Sequence, residues 1–173
     1  MLKMTEDWRS ALDQKQDVGV VTIDLSKAFD SIGHNLLLAK LKAYGLNSSA
    51  VDLIRSYLQE RQQRVKCDDV YSGWLPSRCG VPQARKRISL LGPLLFNIFI
   101  NDLNETILTS FLRLYADDAT NYTSNDYPAR LEFTINNDVS ALNQWLNNNF
   151  LSINSKKTQA MIMGNSNYEY DIN

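Results

Sequence analysis

The stretch that decides the fold runs from Phe111 to Tyr122 and reads Phe-Leu-Arg-Leu-Tyr-Ala-Asp-Asp-Ala-Thr-Asn-Tyr. It contains two short runs of strand-like composition, and Asp117 and Asp118 separate them. Aspartate favours turns because its short side chain bonds to the local backbone. The stretch therefore predicts an antiparallel hairpin with the two aspartates at its turn.

Strand and helix patterns follow one another on both sides of this hairpin. An apolar run over Val18–Ile23 predicts a buried strand that ends at Asp24, and further strands are predicted near Leu151–Ile153 and Gln159–Met163. A short hairpin is predicted over 64–74. Helices are predicted from a Thr5 cap to about Gln14, over Leu36–Tyr44, from Ser48 or Ser49, from Pro93 through Leu103 and from Pro128 to Phe150.

This order of elements predicts an α+β fold: a ferredoxin-like antiparallel sheet packed on helices, with an excursion between its first strand and its central helix. In such a sheet the end of the first strand lies beside the hairpin turn. Asp24 would then converge with Asp117 and Asp118 on one edge, where hard carboxylate oxygens suit Mg²⁺. An ordinary solvated turn is the alternative interpretation of the Asp-Asp pair.

Length and composition narrow the class of protein. The chain has 173 residues, of which 44% are hydrophobic and 21% charged, and this excludes disordered, collagenous and fibrous proteins. We expect one compact unit. Apolar runs fall well short of the about 20 residues of a membrane helix, and Met1–Arg9 does not resemble a signal peptide, so we expect an intracellular protein without a membrane partner. Whether it is nuclear or cytoplasmic stays open.

The net charge of −1 hides an asymmetry along the chain. Residues 53–100 carry eight basic and three acidic side chains, a net charge of +5, whereas residues 101–155 carry two and seven, a net charge of −5. A basic surface beside a carboxylate-rich one suits a protein that holds a polyanion and concentrates divalent metal next to it. Scattered solvated charge is the alternative.

Four ordered blocks resemble the reverse transcriptases of non-LTR retrotransposons of the LINE and jockey type. The blocks are Val21–Ser31, Arg78–Gln83, Leu91–Leu103 and Tyr115–Asp118, and the similarity extends from about Asp7 to Gly164. The resemblance implies an RNA-directed DNA polymerase with the polymerase palm fold and a partial fingers insertion. Residues 1–173 would form this one domain, without the N-terminal fingers, thumb and endonuclease of complete enzymes. The implied partners are an RNA template, a DNA primer and dNTP, and the oligomeric state stays open.

The same resemblance implies roles for individual residues. Two Mg²⁺ ions, for which Mn²⁺ could substitute, would be held by Asp24, the Leu25 carbonyl, Asp117 and Asp118. Lys157, or its neighbour Lys156, resembles a lysine that protonates the leaving pyrophosphate. Nucleotide and template contacts would come from Phe29, Gly80, Pro82, Gln83 and Tyr115. For Phe29, selection of deoxyribose and plain core packing both stay open.

Basic residues carry a further prediction and an alternative. Contacts to the nucleic-acid backbone are predicted for Arg61, Arg64, Lys66, Arg85, Lys86 and Arg87. The last three lie in Ala84–Ile88, which replaces one glycine of the family pattern Pro-Gln-Gly-Ser-x-Leu-Gly-Pro and adds four residues. This departure leaves open a catalytically inactive remnant that acts at most as a nucleic-acid-binding module; a metal-free RNA-binding sheet is a third interpretation. Trp8, Trp74 and Trp145 are predicted to pack rather than to stack on bases.

Overall fold

The computed structural model describes residues 2–59, 61–82 and 90–172, which divide into two compact units. The first contains the described residues of Met1–Ser26 and Asp102–Asn173, and the second those of Lys27–Asn101. The composition predicts one unit, whereas the structure has two, because the segment inserted after the first strand packs mainly on itself. None of the helices in the described ranges combines the length and apolarity needed to cross a membrane.

Helices and strands are numbered in chain order. The helices are α1 Leu2–Asp13, α2 Ala28–Ser31, α3 His34–Ala43, α4 Ser48–Leu58, α5 Leu91–Ile100 and α6 Pro128–Asn148, with a 3₁₀ helix at Asn101–Thr106. The strands are β1 Asp17–Asp24, β2 Gln62–Gln63, β3 Lys66–Cys67, β4 Val70–Tyr71, β5 Leu75–Pro76, β6 Phe111–Tyr115, β7 Asp118–Asn125 and β8 Gln159–Met163.

The first unit is built on a four-stranded antiparallel sheet in the order β6-β7-β1-β8. Of these four strands, the first and third in sequence are the central pair, and the second and fourth are the edges. This is the order of a ferredoxin-like split βαβ sheet. The predicted α+β fold is confirmed.

Helices α1 and α6 pack on opposite faces of this sheet. On one face the Ile135 side chain of α6 lies against Gly19. On the other, α1 covers Val18, Val20 and Tyr122, and its Trp8 ring meets Tyr122 edge-on with centroids 5.9 Å apart. Because side chains alternate between faces along a strand, Asp24 shares the face of Val18 and Val20 but is not among the residues that α1 covers.

The second unit is a helical cluster with one long hairpin. Helix α3 packs against α4 and α5, and their buried side chains form its core: Leu37, Leu41, Leu58, Phe96 and Phe99. His34 opens α3, and its Nε2 lies 2.9 Å from the carbonyl oxygen of Gly80. The hairpin contains β2 to β5, and every residue from 62 to 76 is exposed.

Three local predictions are wrong. Helix α1 already includes Leu2, and the hydroxyl of Thr5 donates back to the Leu2 carbonyl instead of capping the helix. Leu151–Ile153 forms no strand but a single bridge, from Ile153 to Leu25, because the chain turns immediately afterwards. Trp74 is 57% exposed because both faces of its hairpin are exposed, whereas Trp145 is buried.

Candidate active site

The candidate site is centred on the rung of the sheet that pairs Asp24 of β1 with Asp118 of β7. On its other side Asp118 pairs with Tyr115 of β6. Directly opposed residues share a face, so these three side chains form one row. A second row on the same face of the sheet contains Arg113, Thr120 and Thr22. The predicted adjacency of Asp24 and the hairpin is therefore confirmed at Asp118.

The two rows line an open cleft of about 800 Å³. Lys3 and Met4, at the start of α1, border the cleft, as does Lys157. The residues that alternate with these rows, such as Ile23 and Ala119, are buried on the other face of the sheet. The cleft therefore has a polar floor on an apolar core, and its size lies within the about 300 to 1,000 Å³ of small-molecule sites.

Asn154 and Lys157 hold the Asp24 carboxylate. The Asn154 side-chain amide donates to Asp24 Oδ2 over 2.9 Å, and the Asn154 backbone N–H donates to the Asp24 carbonyl over 2.8 Å. The Asn154 carbonyl in turn accepts the N–H groups of Lys157 and Thr158, which closes a turn. This turn places Lys157 Nζ 3.5 Å from Asp24 Oδ1. The Asp24 side chain is thus oriented, yet 22% of it stays exposed.

Asp117 lies outside this row, in the turn between β6 and β7. The preceding Ala116 has φ 54°, a left-handed conformation that residues other than glycine rarely adopt. In the described parts of the chain no group of three or more His, Cys, Asp or Glu side chains is placed to hold a metal ion. Asp24 and Asp118 therefore meet on one rung, whereas the predicted approach of Asp117 to them stays a prediction.

The donors that are present fit a hydrated divalent cation. Asp24 and Asp118 supply hard carboxylate oxygens on one rung, and Mg²⁺ is commonly held by one or two carboxylates together with water and substrate phosphate. The bonds from Asn154 N–H to the Asp24 carbonyl and from Ser26 N–H to the Ser152 carbonyl direct the Asp24 carbonyl and the Ser26 N–H away from β7. Since successive carbonyls of a strand alternate in direction, the Leu25 carbonyl points to the β7 side.

Two other predicted site residues belong to the second unit. The Phe29 ring is half-buried and stacks on Phe96 with centroids 4.4 Å apart. Gly80 has φ 85°, and a Cβ there would lie 2.9 Å from the Asp30 backbone, so the position requires glycine. The Val81 N–H donates to the Phe29 carbonyl over 2.8 Å. Phe29 and Gly80 therefore belong to one local structure.

The remaining predicted residues are spread over the second unit. Pro82 is half-buried, and its carbonyl oxygen would lie 2.2 Å from a Cβ at Gly92, so the backbones of these two residues touch. Arg61 is half-buried at the base of the hairpin, whereas Arg64 and Lys66 are exposed on it. Gln83, Arg85, Lys86 and Arg87 lie outside the described residues.

A second aspartate, at the other end of β1, is built differently. Asp17 is only 5% exposed, and the Tyr170 hydroxyl donates to its Oδ2 over 2.6 Å. Burial alone would raise the pKa of Asp17, but hydrogen bonds from Ser166 and Tyr170 outweigh it and hold this pKa below its usual 3.8. Burial and the bond to Asp17 raise the pKa of Tyr170 to about 12.

Sequence reasoning missed Asn154 and Arg113. Asn154 contacts Asp24 across 130 positions of sequence, and an asparagine in a polar turn gives no local sign of such a partner. Arg113 could have been found, because it stands two residues before Tyr115 in the predicted strand and so shares its face.

Comparisons with known proteins identify the family. Residues 1–170 match the model described as "Reverse transcriptase (RNA-dependent DNA polymerase)". The chain is 29% identical over 163 residues to the "Probable RNA-directed DNA polymerase from transposon BS" of Drosophila melanogaster. It is 30% identical over 154 residues to the "RNA-directed DNA polymerase from mobile element jockey" of Drosophila funebris. These matches cover 90% and 85% of this chain but span only 17% and 16% of the relatives' length.

Solved structures of telomerase from Candida tropicalis share the fold. The apo enzyme truncated from its C-terminal domain superposes with a TM-score of 0.65 at 13% identity, over 96% of this chain and 35% of that one. The complex with a fragment of telomeric RNA gives 0.62 at 15% identity, over 92% and 29%. These identities support the fold alone, whereas the sequence matches confirm the resemblance to non-LTR retrotransposon enzymes. The chain belongs to the reverse transcriptase (RNA-dependent DNA polymerase) family.

Proposed function

We propose that this chain is an RNA-directed DNA polymerase domain that extends a DNA primer on an RNA template with dNTP and two Mg²⁺ ions. The observation that carries the proposal is the rung of Asp24 and Asp118 on the floor of an open cleft, with Asn154 and Lys157 fixing Asp24. Family membership and the names of the relatives support the same activity.

In this reaction the primer 3′-oxygen bonds to the α-phosphorus of dNTP, while the bond from that phosphorus to the bridging oxygen breaks and pyrophosphate leaves. Bound Mg²⁺ would supply the positive charge that activates the hydroxyl and neutralises the phosphate oxygens. Asp24, Asp118 and the Leu25 carbonyl would provide its ligands, and Asp117 would join them from the adjoining turn. This assignment places the metal site at the last rung between β1 and β7.

Lys157 is our proposed proton donor to the leaving pyrophosphate. Its Nζ lies 3.5 Å from Asp24 Oδ1, and 68% of the side chain is exposed, so the ammonium can reach a phosphate in the cleft. A proton from Nζ would neutralise the charge that develops on pyrophosphate. Asn154 would act as a positioning residue, because it fixes the Asp24 carboxylate and the start of the turn that carries Lys157.

The second unit would contribute the nucleotide and template contacts. The stack on Phe96 restricts the Phe29 ring, and a fixed ring beside the sugar would clash with a 2′-hydroxyl and so favour dNTP. At Gly80, the absence of a side chain would allow the backbone to approach a base closely. We assign Pro82 and Gln83 to the same contacts, and also Tyr115, which belongs to the first unit.

Primer extension on an RNA template tests the proposal. The full chain is incubated with a DNA primer, dNTP and either Mg²⁺ or Mn²⁺, next to an Asp117→Ala variant. We expect extension by the wild type that depends on the metal and is absent from the variant. Extension that survives in Asp117→Ala would contradict the mechanism.

A catalytically inactive remnant is the second candidate, and the inserted Ala84–Ile88 supports it. Pro82 and Gly92, which bracket the insertion, lie in backbone contact, so a segment in which one glycine replaces Ala84–Ile88 is long enough to join them. If the wild type is silent, activity of this variant would show that the insertion blocks catalysis. Continued silence, with RNA binding intact, would favour the remnant.

A metal-free RNA-binding sheet predicts a different thermal behaviour. In that case Mg²⁺ would leave the melting temperature unchanged. The polymerase proposal instead predicts that Mg²⁺ raises it, since a ligand that binds only the folded state stabilises that state.

A further inference from the structure

The hairpin over residues 61–77 is the most exposed feature of the second unit. In this hairpin β2 pairs with β5, and β3 pairs with β4. Two further backbone bonds extend the pairing: Ser72 N–H donates to the Val65 carbonyl, and Ser77 N–H donates to the Arg61 carbonyl. Tyr71 is 49% exposed and Trp74 57%. A two-stranded hairpin is only marginally stable in water, so two exposed aromatic rings on its return strand need a functional reason.

A bulge places the two rings on one face. Lys66 pairs with Tyr71 and Gln63 with Leu75, so the return strand contains one residue more than its partner between these pairs. In a regular strand Tyr71 and Trp74 would point to opposite faces. The extra residue reverses this, and both rings contact the Arg64 guanidinium, with centroids 4.0 Å and 4.6 Å from its carbon.

Positive charge accompanies the rings on this face. Arg64 lies on both of them, and Lys66 Nζ is 5.6 Å from the centre of the Tyr71 ring. Residues 61–82 carry four basic side chains against Asp68 and Asp69, and of these acids Asp69 is paired with Lys66 at 3.7 Å. The face thus joins fixed aromatic surfaces with cations that remain accessible to solvent.

We propose that Arg64, Lys66, Tyr71 and Trp74 form a platform for unpaired nucleic acid. Bases stack on exposed aromatic and guanidinium planes, and cations follow the phosphate backbone. A duplex keeps its bases stacked inside and offers only phosphates, so the two rings select a single strand. The platform deepens the proposed function, because a polymerase that copies RNA must hold unpaired template, but its binding needs neither metal nor the Asp24 site.

Fluorescence anisotropy on the full chain tests the platform. The probes are a labelled RNA of about 12 nucleotides without base pairing, the DNA of the same sequence, and the RNA as a duplex. Trp74→Ala and Arg64→Ala should each raise the Kd for the single strand about tenfold, and Trp74→Phe should stay within about threefold of wild type. Phe133→Ala and Arg9→Ala are matched controls, because Phe133 is 67% exposed and Arg9 lies on α1.

Unchanged affinity in Trp74→Ala would overturn the platform, as would equal losses in Phe133→Ala or a duplex that competes as well as the single strand. DNA binding as tight as RNA binding would support it as a stacking surface without sugar selectivity. Asp117→Ala should bind the single strand like wild type. A chain that binds RNA through Trp74 but never extends a primer would therefore refute the polymerase proposal alone.

Discussion

Strand β1 begins and ends with an aspartate, and the two carboxylates differ in their burial and in their hydrogen-bond partners. Asp17 is buried, and its carboxylate accepts hydrogen bonds from Tyr170 and Ser166. Its oxygens therefore stabilise the fold. Asp24 is oriented by Asn154 and Lys157 but remains partly open to a cleft. The same residue type in one strand therefore serves cohesion at one end and, in the proposed function, ligand binding at the other, and the difference lies in what covers it.

The largest expected effect separates the two aspartates by activity. Asp24→Asn removes one carboxylate of the proposed metal site and should lower kcat in primer extension at least about 10³-fold, whereas Asp17→Asn should keep most of the activity. Single-turnover extension at saturating dNTP is the measurement. Equal losses of kcat in the two variants would contradict a functional difference between the two ends of the strand.

The free energy of unfolding should distinguish the two aspartates in the opposite order, with the larger loss at Asp17. Asp17→Ala leaves the half-buried Tyr170 hydroxyl without its charged acceptor and should reduce the free energy of unfolding by about 2 to 3 kcal/mol. Asp24→Ala, at an open cleft, should lose less than about 1 kcal/mol. Urea denaturation followed by circular dichroism measures both. A larger loss at Asp24 would mean that its end of the strand is also structural.

Asn154 tests whether the orientation of Asp24 matters. Asn154→Ala removes the side-chain bond to Asp24 Oδ2 but keeps the backbone bonds, so the turn persists and kcat should fall about 10- to 100-fold. The Mg²⁺ concentration for half-maximal extension should rise as well. Ser155→Ala, in the same turn, is the control and should behave like wild type. A normal Mg²⁺ dependence in Asn154→Ala would remove Asn154 from the site.

The smallest effect concerns Tyr170 and its pH dependence. Tyr170→Phe loses one hydrogen bond to Asp17 and should cost about 1 kcal/mol, which lowers the melting temperature by about 2 to 4 °C at pH 7. The pKa of Tyr170 is raised from 10.0 to about 12, so its contribution is full below pH 10 and is lost as the pH rises through about 12. The gap between wild type and Tyr170→Phe should therefore narrow above pH 10. Tyr127→Phe, an exposed tyrosine, provides the comparison.

The sheet could be predicted from sequence because its information is local. The apolar run before Asp24 and the paired runs around Asp117 define strands by period and turn chemistry, and split βαβ topology then brings Asp24 beside Asp118. The surroundings of the two aspartates of β1 could not be predicted. Asn154 and Tyr170 reach β1 from 130 and 153 positions away, and only the folded chain brings them there.

The hairpin shows a second limit of local patterns. Its alternation and turn residues predict strands correctly. The alternation does not show, however, whether another element packs on either face of the hairpin. Trp74 looked like a core residue because tryptophan is usually well buried, and its exposure follows from the absence of a packed layer on either face of this hairpin in the described structure.

The Asp24–Asp118 rung also makes the sheet weaker than it needs to be. Like charges opposed on a rung destabilise a sheet, whereas the neighbouring pair of Thr22 and Thr120 is one that strands favour. Repeating that threonine pair at the last rung would give a more cohesive sheet without cation ligands. Under the proposed function, this rung therefore balances foldability against activity, and a divalent cation that neutralises the pair would relieve local frustration.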